Sequence, residues 1–157
     1  MVTSSVRITS FRPELATAFA RLSRAWIEAM FTLEPAEAEY LADPERHIVR
    51  QGGEIFFALQ EEAVLGTCAA IPHGDHEFEL AKLAVIPEAR GRGLGRALAE
   101  AVLQFARARG ARRVMLVSSS RLEPALALYR SMGFQARPFP GPRPYGDADI
   151  YMEMDLV

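Results

Sequence analysis

Six consecutive residues, Arg90-Gly91-Arg92-Gly93-Leu94-Gly95, carry the clearest chemistry in this chain. Upstream of them Leu80, Ala81, Leu83, Ala84, Val85 and Ile86 form a nearly continuous apolar run, the pattern of a strand covered on both faces, and Pro87 stops it. Downstream, Leu94, Ala97, Leu98, Ala101, Val102 and Phe105 recur at helical spacing. Strand, glycine turn and helix N-terminus in that order make an anion cradle. The glycines let backbone approach a ligand closely, while unpaired N–H groups and the positive helix end face it. The ligand implied by this chemistry carries phosphates. Two nucleotide-binding spacings are excluded. A dinucleotide fingerprint counted from Gly91 puts its third glycine on Arg96, and Val114 to Ser118 holds no carboxylate for a ribose. A P-loop needs Gly-Lys-Ser/Thr where this chain has Leu94-Gly95-Arg96.

Other reactive residue types read more plainly. His73, Asp75 and His76 lie together, but two histidines on a short loop without a third firm ligand describe a polar turn, and no metal is expected. Cys68 falls in a predicted buried strand without a base partner, which favours a core role over a nucleophile. Arg107, Arg109, Arg112 and Arg113 suggest a nucleic-acid surface, yet the net charge is −2 and no aromatics interleave them.

The elements that must position the cradle follow from periodicity and turn residues. Val6 to Thr9 reads as a short strand, and Leu15, Ala18, Phe19, Leu22, Trp26, Ala29 and Met30 mark one face of a helix. Ala36 to Leu41 and Glu45 to Val49 predict two short helices, the second capped by Asp43 with Pro44 at its first position. Ile55 to Gln60 and Val64 to Ile71 predict a hairpin turning at Glu61-Glu62, although that turn lacks the usual glycine or asparagine. Pro72 to His76 is a predicted loop. The long helix ends at Gly110, Arg113 to Val117 is a buried strand, and Pro124 to Met132 is a second amphipathic helix closed by Gly133. Strands at Phe134 and at Ile150 to Leu156 finish the chain. This order predicts one α/β (α+β) domain over residues 1–157, a mixed sheet of six to seven strands with helices on both faces.

Half of the 157 residues are hydrophobic and 24% charged, as in ordinary globular domains. With one cysteine there is no internal disulfide framework. No apolar run approaches the ~18 residues that span a bilayer, and Met1 to Glu14 lacks the apolar core of a secretory signal. The expectation is a cytoplasmic protein.

Arg90 to Gly95 resembles the central motif of the GNAT superfamily of N-acetyltransferases, Arg/Gln-x-x-Gly-x-Gly/Ala, at every defined position. The Glu-Leu-x-x-Leu-x-Val strand before it and the helix after it match too. A second family motif is matched by Ala125-Leu126-Ala127-Leu128-Tyr129-Arg130-Ser131-Met132-Gly133-Phe134. The resemblance covers almost the whole chain and implies a single GNAT-like domain using acetyl-CoA, or a related acyl-CoA, as donor.

It further implies that backbone groups of Leu83, Ala84 and Val85 hold the pantetheine arm as an added strand, and that N–H groups of Arg90, Gly91, Arg92, Gly93, Leu94, Gly95 and Arg96 hold the pyrophosphate. Ser119 stands where relatives often carry an asparagine touching the CoA arm. The amine acceptor is protonated at neutral pH and needs a base. Glu79 matches the family glutamate, with the parity of Ala81, Leu83 and Val85 along the strand, and Glu77 is the second candidate. Tyr129 matches the tyrosine that protonates the leaving thiolate. Trp26, Phe31 and Tyr145 suggest an aromatic wall for the acceptor, and Lys82 a partner for an acceptor carboxylate, or for Glu77 or Glu79. The expected function is direct acetyl transfer to a primary amine of a small molecule or peptide, with a homodimer as the common assembly in the superfamily. A catalytically silent CoA-binding regulatory module is the rival.

Overall fold

The computed structural model describes residues 5–143 and 148–156. The chain runs β1 (Arg7–Ser10), α1 (Ala16–Met30), α2 (Pro35–Ala42), α3 (Pro44–His47), β2 (Glu54–Gln60), β3 (Ala63–His73) and β4 (Glu77–Val85). After these come α4 (Leu94–Ala108), β5 (Arg113–Ser118), α5 (Glu123–Met132), β6 (Gln135–Arg137) and β7 (Ile150–Asp155). The seven strands form one sheet in the order β1-β2-β3-β4-β5-β7-β6. Only β4 and β5 are parallel; every other neighbouring pair is antiparallel. This is the predicted mixed α/β sheet. No helix among the described residues is long and apolar enough to cross a membrane.

Two cores lie on opposite faces. Leu15 and Phe19 next to and within α1, Leu41 of α2 and Ile48 pack on Ile55, Phe57 and Ala69 of the sheet. On the other face Leu98, Val102 and Ala106 of α4 and Leu126 and Tyr129 of α5 cover Cys68, Phe78, Leu80, Val114 and Leu116. Local chemistry explains the short elements. Asp43 accepts a hydrogen bond from the Arg46 N–H at 3.2 Å and so caps α3, with Pro44 at its first turn. Glu61 takes φ +56°, supplying the left-handed residue that a two-residue hairpin turn requires and that the sequence did not signal with glycine.

The structure differs from expectation along β3 and β4. Pro72 and His73 belong to β3 rather than to a loop, since pairing with β2 ends at Ala70 and leaves one edge of β3 free for a residue without an N–H. The central strand starts at Glu77 and is not buried on both faces. Phe78, Leu80 and Ala84 are buried, whereas Ala81, Lys82 and Leu83 are only partly so. An unpaired edge causes this.

Candidate active site

β4 is paired with β5 only at Glu77–Arg113, Phe78–Val114 and Glu79–Met115. β5 then continues with β7 as far as Ser118–Ile150, and β4 continues with β3 as far as Val85–Gly66. The two parallel strands therefore part company after Glu79. Among the described residues the β5-facing edge of β4 from Leu80 onward has no strand partner. A bulge produces the divergence. Ala81 lies opposite Ala69 but Ala84 lies opposite Thr67, so β4 carries one extra residue there. Lys82, at φ +58°, is the bulged position, and a bulge bends its strand.

The bulge also reverses the faces of β4. Glu79 and Ala81 lie opposite Ile71 and Ala69, on the side of α1 and α2, while Leu83 and Val85 pack into the α4 core. The expected common parity of Glu79 with Leu83 and Val85 is thus wrong, because an extra residue inverts every later side chain. Cys68 sits opposite the bulge, its thiol 3.6 Å from the Ala81 carbonyl. Full burial pushes that thiol up, which suits a core residue.

Beyond β4 the chain makes the glycine turn. Gly91 and Gly93 take φ +82° and +79°, and a Cβ built on either would meet nothing within 4 Å. Open space beside backbone is what a ligand cradle requires. The N–H groups of Leu94, Gly95 and Arg96 open α4, and the first capping bond within the helix is Ala97 N–H to Gly93 C=O at 3.1 Å. Arg92 donates to Gln60 at 3.2 Å and Arg96 to the Ser131 hydroxyl, while the Arg90 side chain has no partner among the described residues. Leu128 approaches Gly95, so α5 packs directly against the turn.

α5 delivers Tyr129 to the same region. Its ring packs edge-on to Phe134 at 5.9 Å, and burial, with Cys68 adding to it, raises its hydroxyl pKa. That hydroxyl has no hydrogen-bond partner among the described residues. It is not sealed off either, since the fully buried side-chain oxygen without a partner among the described residues is Ser23 Oγ of α1. Ser119 is buried at 3% exposure and its hydroxyl accepts from the Arg121 N–H at 3.2 Å.

Glu79 stands where the strands separate. One carboxylate oxygen lies 2.7 Å from Nε2 of His73, and this contact raises the histidine pKa above 6.5. Glu77 instead approaches Arg113 at 3.6 Å, and Arg113 also contacts Glu153 and Asp155. Lys82 pairs with neither strand glutamate. It binds Glu37 of α2 and lies 6.0 Å from the Tyr40 ring, so it ties α2 to the bulge. Tyr40 is pushed up to about 12 by burial and then by Glu79 and Glu37.

Trp26 and Phe31 do meet, with ring centroids 5.7 Å apart, and the Arg121 guanidinium lies 5.5 Å from the Phe31 ring. Tyr145 lies outside the described residues. Sequence reasoning missed His73 as a partner of Glu79 and Glu37 as a partner of Lys82. Hairpin register holds the signal for the first, because His73 opposite Glu77 puts it diagonal to Glu79. The second pairing spans 45 residues and leaves no local trace.

Known proteins share sequence and fold with this chain. Residues 18–134 match the acetyltransferase (GNAT) family. N-acetyltransferase family 8 member 2 of Rattus norvegicus is 36% identical over 100 residues, covering 60% of this chain and 44% of that protein. The chain thus spans about half the length of such relatives, from 40% to 58%. A GNAT-family acetyltransferase from Staphylococcus aureus superposes with a TM-score of 0.86 at 16% identity, covering 98% of this chain and 100% of the other. A Salmonella typhimurium protein solved with its cofactor acetyl-CoA superposes at 0.77 and 19% identity, covering 98% and 95%. At such identities the structures speak for the fold, and the motif-bearing segment speaks for descent. The chain belongs to the acetyltransferase (GNAT) family.

Proposed function

We propose that this chain is an N-acetyltransferase that moves an acetyl group from acetyl-CoA to a primary amine by direct attack. The observation that carries the reading is the parting of β4 and β5. It leaves an unpaired strand edge that runs into a glycine turn at a helix N-terminus, and α5, which packs against that turn through Leu128, carries Tyr129. A bare edge suits the amides of a pantetheine arm, and Leu83, Ala84 and Val85 supply it. The turn from Arg90 to Arg96 suits a pyrophosphate, with the Arg90 guanidinium available for a further phosphate.

The acceptor reaches the thioester from the α1–α2 side, past Trp26 and Phe31. Glu79 takes one proton from the bound ammonium through water, and the freed lone pair attacks the thioester carbonyl. Collapse of the tetrahedral intermediate breaks the C–S bond, and Tyr129 gives its proton to the thiolate. The second nitrogen proton restores Tyr129. One proton is released overall, and no acyl group rests on the protein. Desolvation keeps the Tyr129 hydroxyl protonated in the resting protein, so its proton is present when thiolate forms.

The test is release of free thiol from acetyl-CoA in the presence of a mixture of primary amines, with the acetylated product identified by mass. Turnover supports the reading. Acetyl-CoA binding without thiol release from any amine means a silent CoA-binding module instead.

A further inference from the structure

We propose that His73 is a positioning residue for Glu79, holding one oxygen of the carboxylate and setting the pH range in which it works as a base. This rests on the reading of Glu79 as the base. Nε2 of His73 and Oε1 of Glu79 are 2.7 Å apart, with side chains 48% and 23% exposed. Two atoms of these kinds approach so closely only with a proton between them, so Nε2 donates and Oε1 accepts. Oε2 is then left for the acceptor and Nδ1 for titration. His73 also lines a groove of about 320 Å³ together with His76, Glu77, Arg112, Arg113 and Asp155, a groove that Glu79 does not reach. The imidazole thus meets that groove on one side and the carboxylate on the other.

With Nδ1 bare, the imidazole is neutral and fixes Glu79 without weakening it. An N–H bond of the ammonium breaks, an O–H bond forms on Oε2, and that proton is later lost to water. With Nδ1 protonated, a positive charge lies against Oε1 and lowers the proton affinity of the carboxylate. The surrounding charges leave this role to His73. Glu77 is held by Arg113, which is shared with Glu153 and Asp155. Tyr40 of α2 faces Glu79 but stays protonated up to about pH 12, and Glu37 is bound to Lys82. Arg112 and His76 line the groove, and neither bonds Glu79 among the described residues. The acid limb of the rate then belongs to the pair, not to an isolated carboxylate.

The experiment compares wild type, His73→Gln, His73→Ala and Glu79→Gln in the thiol-release assay with the same mixture of primary amines from pH 5.5 to 9.5. Ratios of profiles are read, so that ionisation of the amines cancels. Glutamine keeps an N–H donor but does not titrate, so His73→Gln retains wild-type turnover near pH 9 within about threefold and moves the acid limb down by about one pH unit or more. His73→Ala, which lacks the donor, loses about tenfold or more at every pH. In parallel, the His73 ring titration followed by NMR falls toward 6.5 in Glu79→Gln. If Glu79→Gln is inactive while His73→Gln overlays the wild-type profile, the proposal is wrong and the base assignment stands. If Glu79→Gln turns over normally, the base assignment fails and takes this proposal with it. Because His73 is half exposed, its variants fold, and their melting curves check that.

Discussion

Tyr129 and His73 show how environment, more than residue type, sets what a side chain can do. Tyr129 is buried by Phe134 and its own helix, yet its hydroxyl has no partner among the described residues. Removing that oxygen therefore breaks no hydrogen bond of the resting protein. Tyr129→Phe is expected to lower kcat by about 10²-fold or more, the range of a lost general acid, while stability changes by less than about 0.5 kcal/mol. Turnover and a denaturant midpoint measured on one preparation check both halves. His73 makes a second prediction. Its pKa is raised in the folded protein by Glu79, so the stabilisation is fully present below 6.5 and is lost as pH rises through the folded value. The imidazole is half exposed, so solvent screening keeps the effect under about 1 kcal/mol. Urea midpoints should show wild type losing stability relative to His73→Gln between pH 6 and pH 9, and a constant difference would contradict the pair.

At the scale of elements, the bulge in β4 organises the site. It bends the strand from β5, reverses the faces beyond it and points Lys82 at α2. Lys82 sits at φ +58°, where a Cβ is strained and a β-branched one more so. Lys82→Val is therefore expected to destabilise the fold by about 2 kcal/mol. Lys82→Gly relieves the strain and should stay within about 1 kcal/mol of wild type, since the pair with Glu37 is partly exposed. Equal midpoints for the two variants would mean that backbone strain at this position is absent. In either variant α2 loses its tie to the bulge.

For the whole molecule, the seven-stranded sheet is interrupted where β4 leaves β5, and the proposed function has the pantetheine arm enter there as a further strand. Acetyl-CoA at about 100 times its Kd should add about 2.7 kcal/mol, raising Tm by about 5–10 °C for a domain of this size. Adenosine 3′,5′-bisphosphate lacks the arm, so it should raise Tm by much less. Equal shifts would place the binding energy wholly in the glycine turn. The order of strands and helices, the hairpin at Glu61, the caps at Asp43 and Gly133 and the glycine turn were legible in the sequence. They depend on local periodicity, steric preference and short motifs, which neighbouring residues fully determine. Tyr129 and Glu79 were singled out by motif, and their roles rest on the proposed function. Tertiary structure alone decided the position of the bulge, the partner of Lys82, and the face each β4 residue presents. The inserted residue has no local signature, because Lys82 adopts its left-handed conformation to satisfy register with β3 and contact with α2. Burial of Phe78 and Leu80 against α4 fixes that register. Chemistry at the site thus follows from residue types written in the sequence, and its geometry from a strand that packing bends.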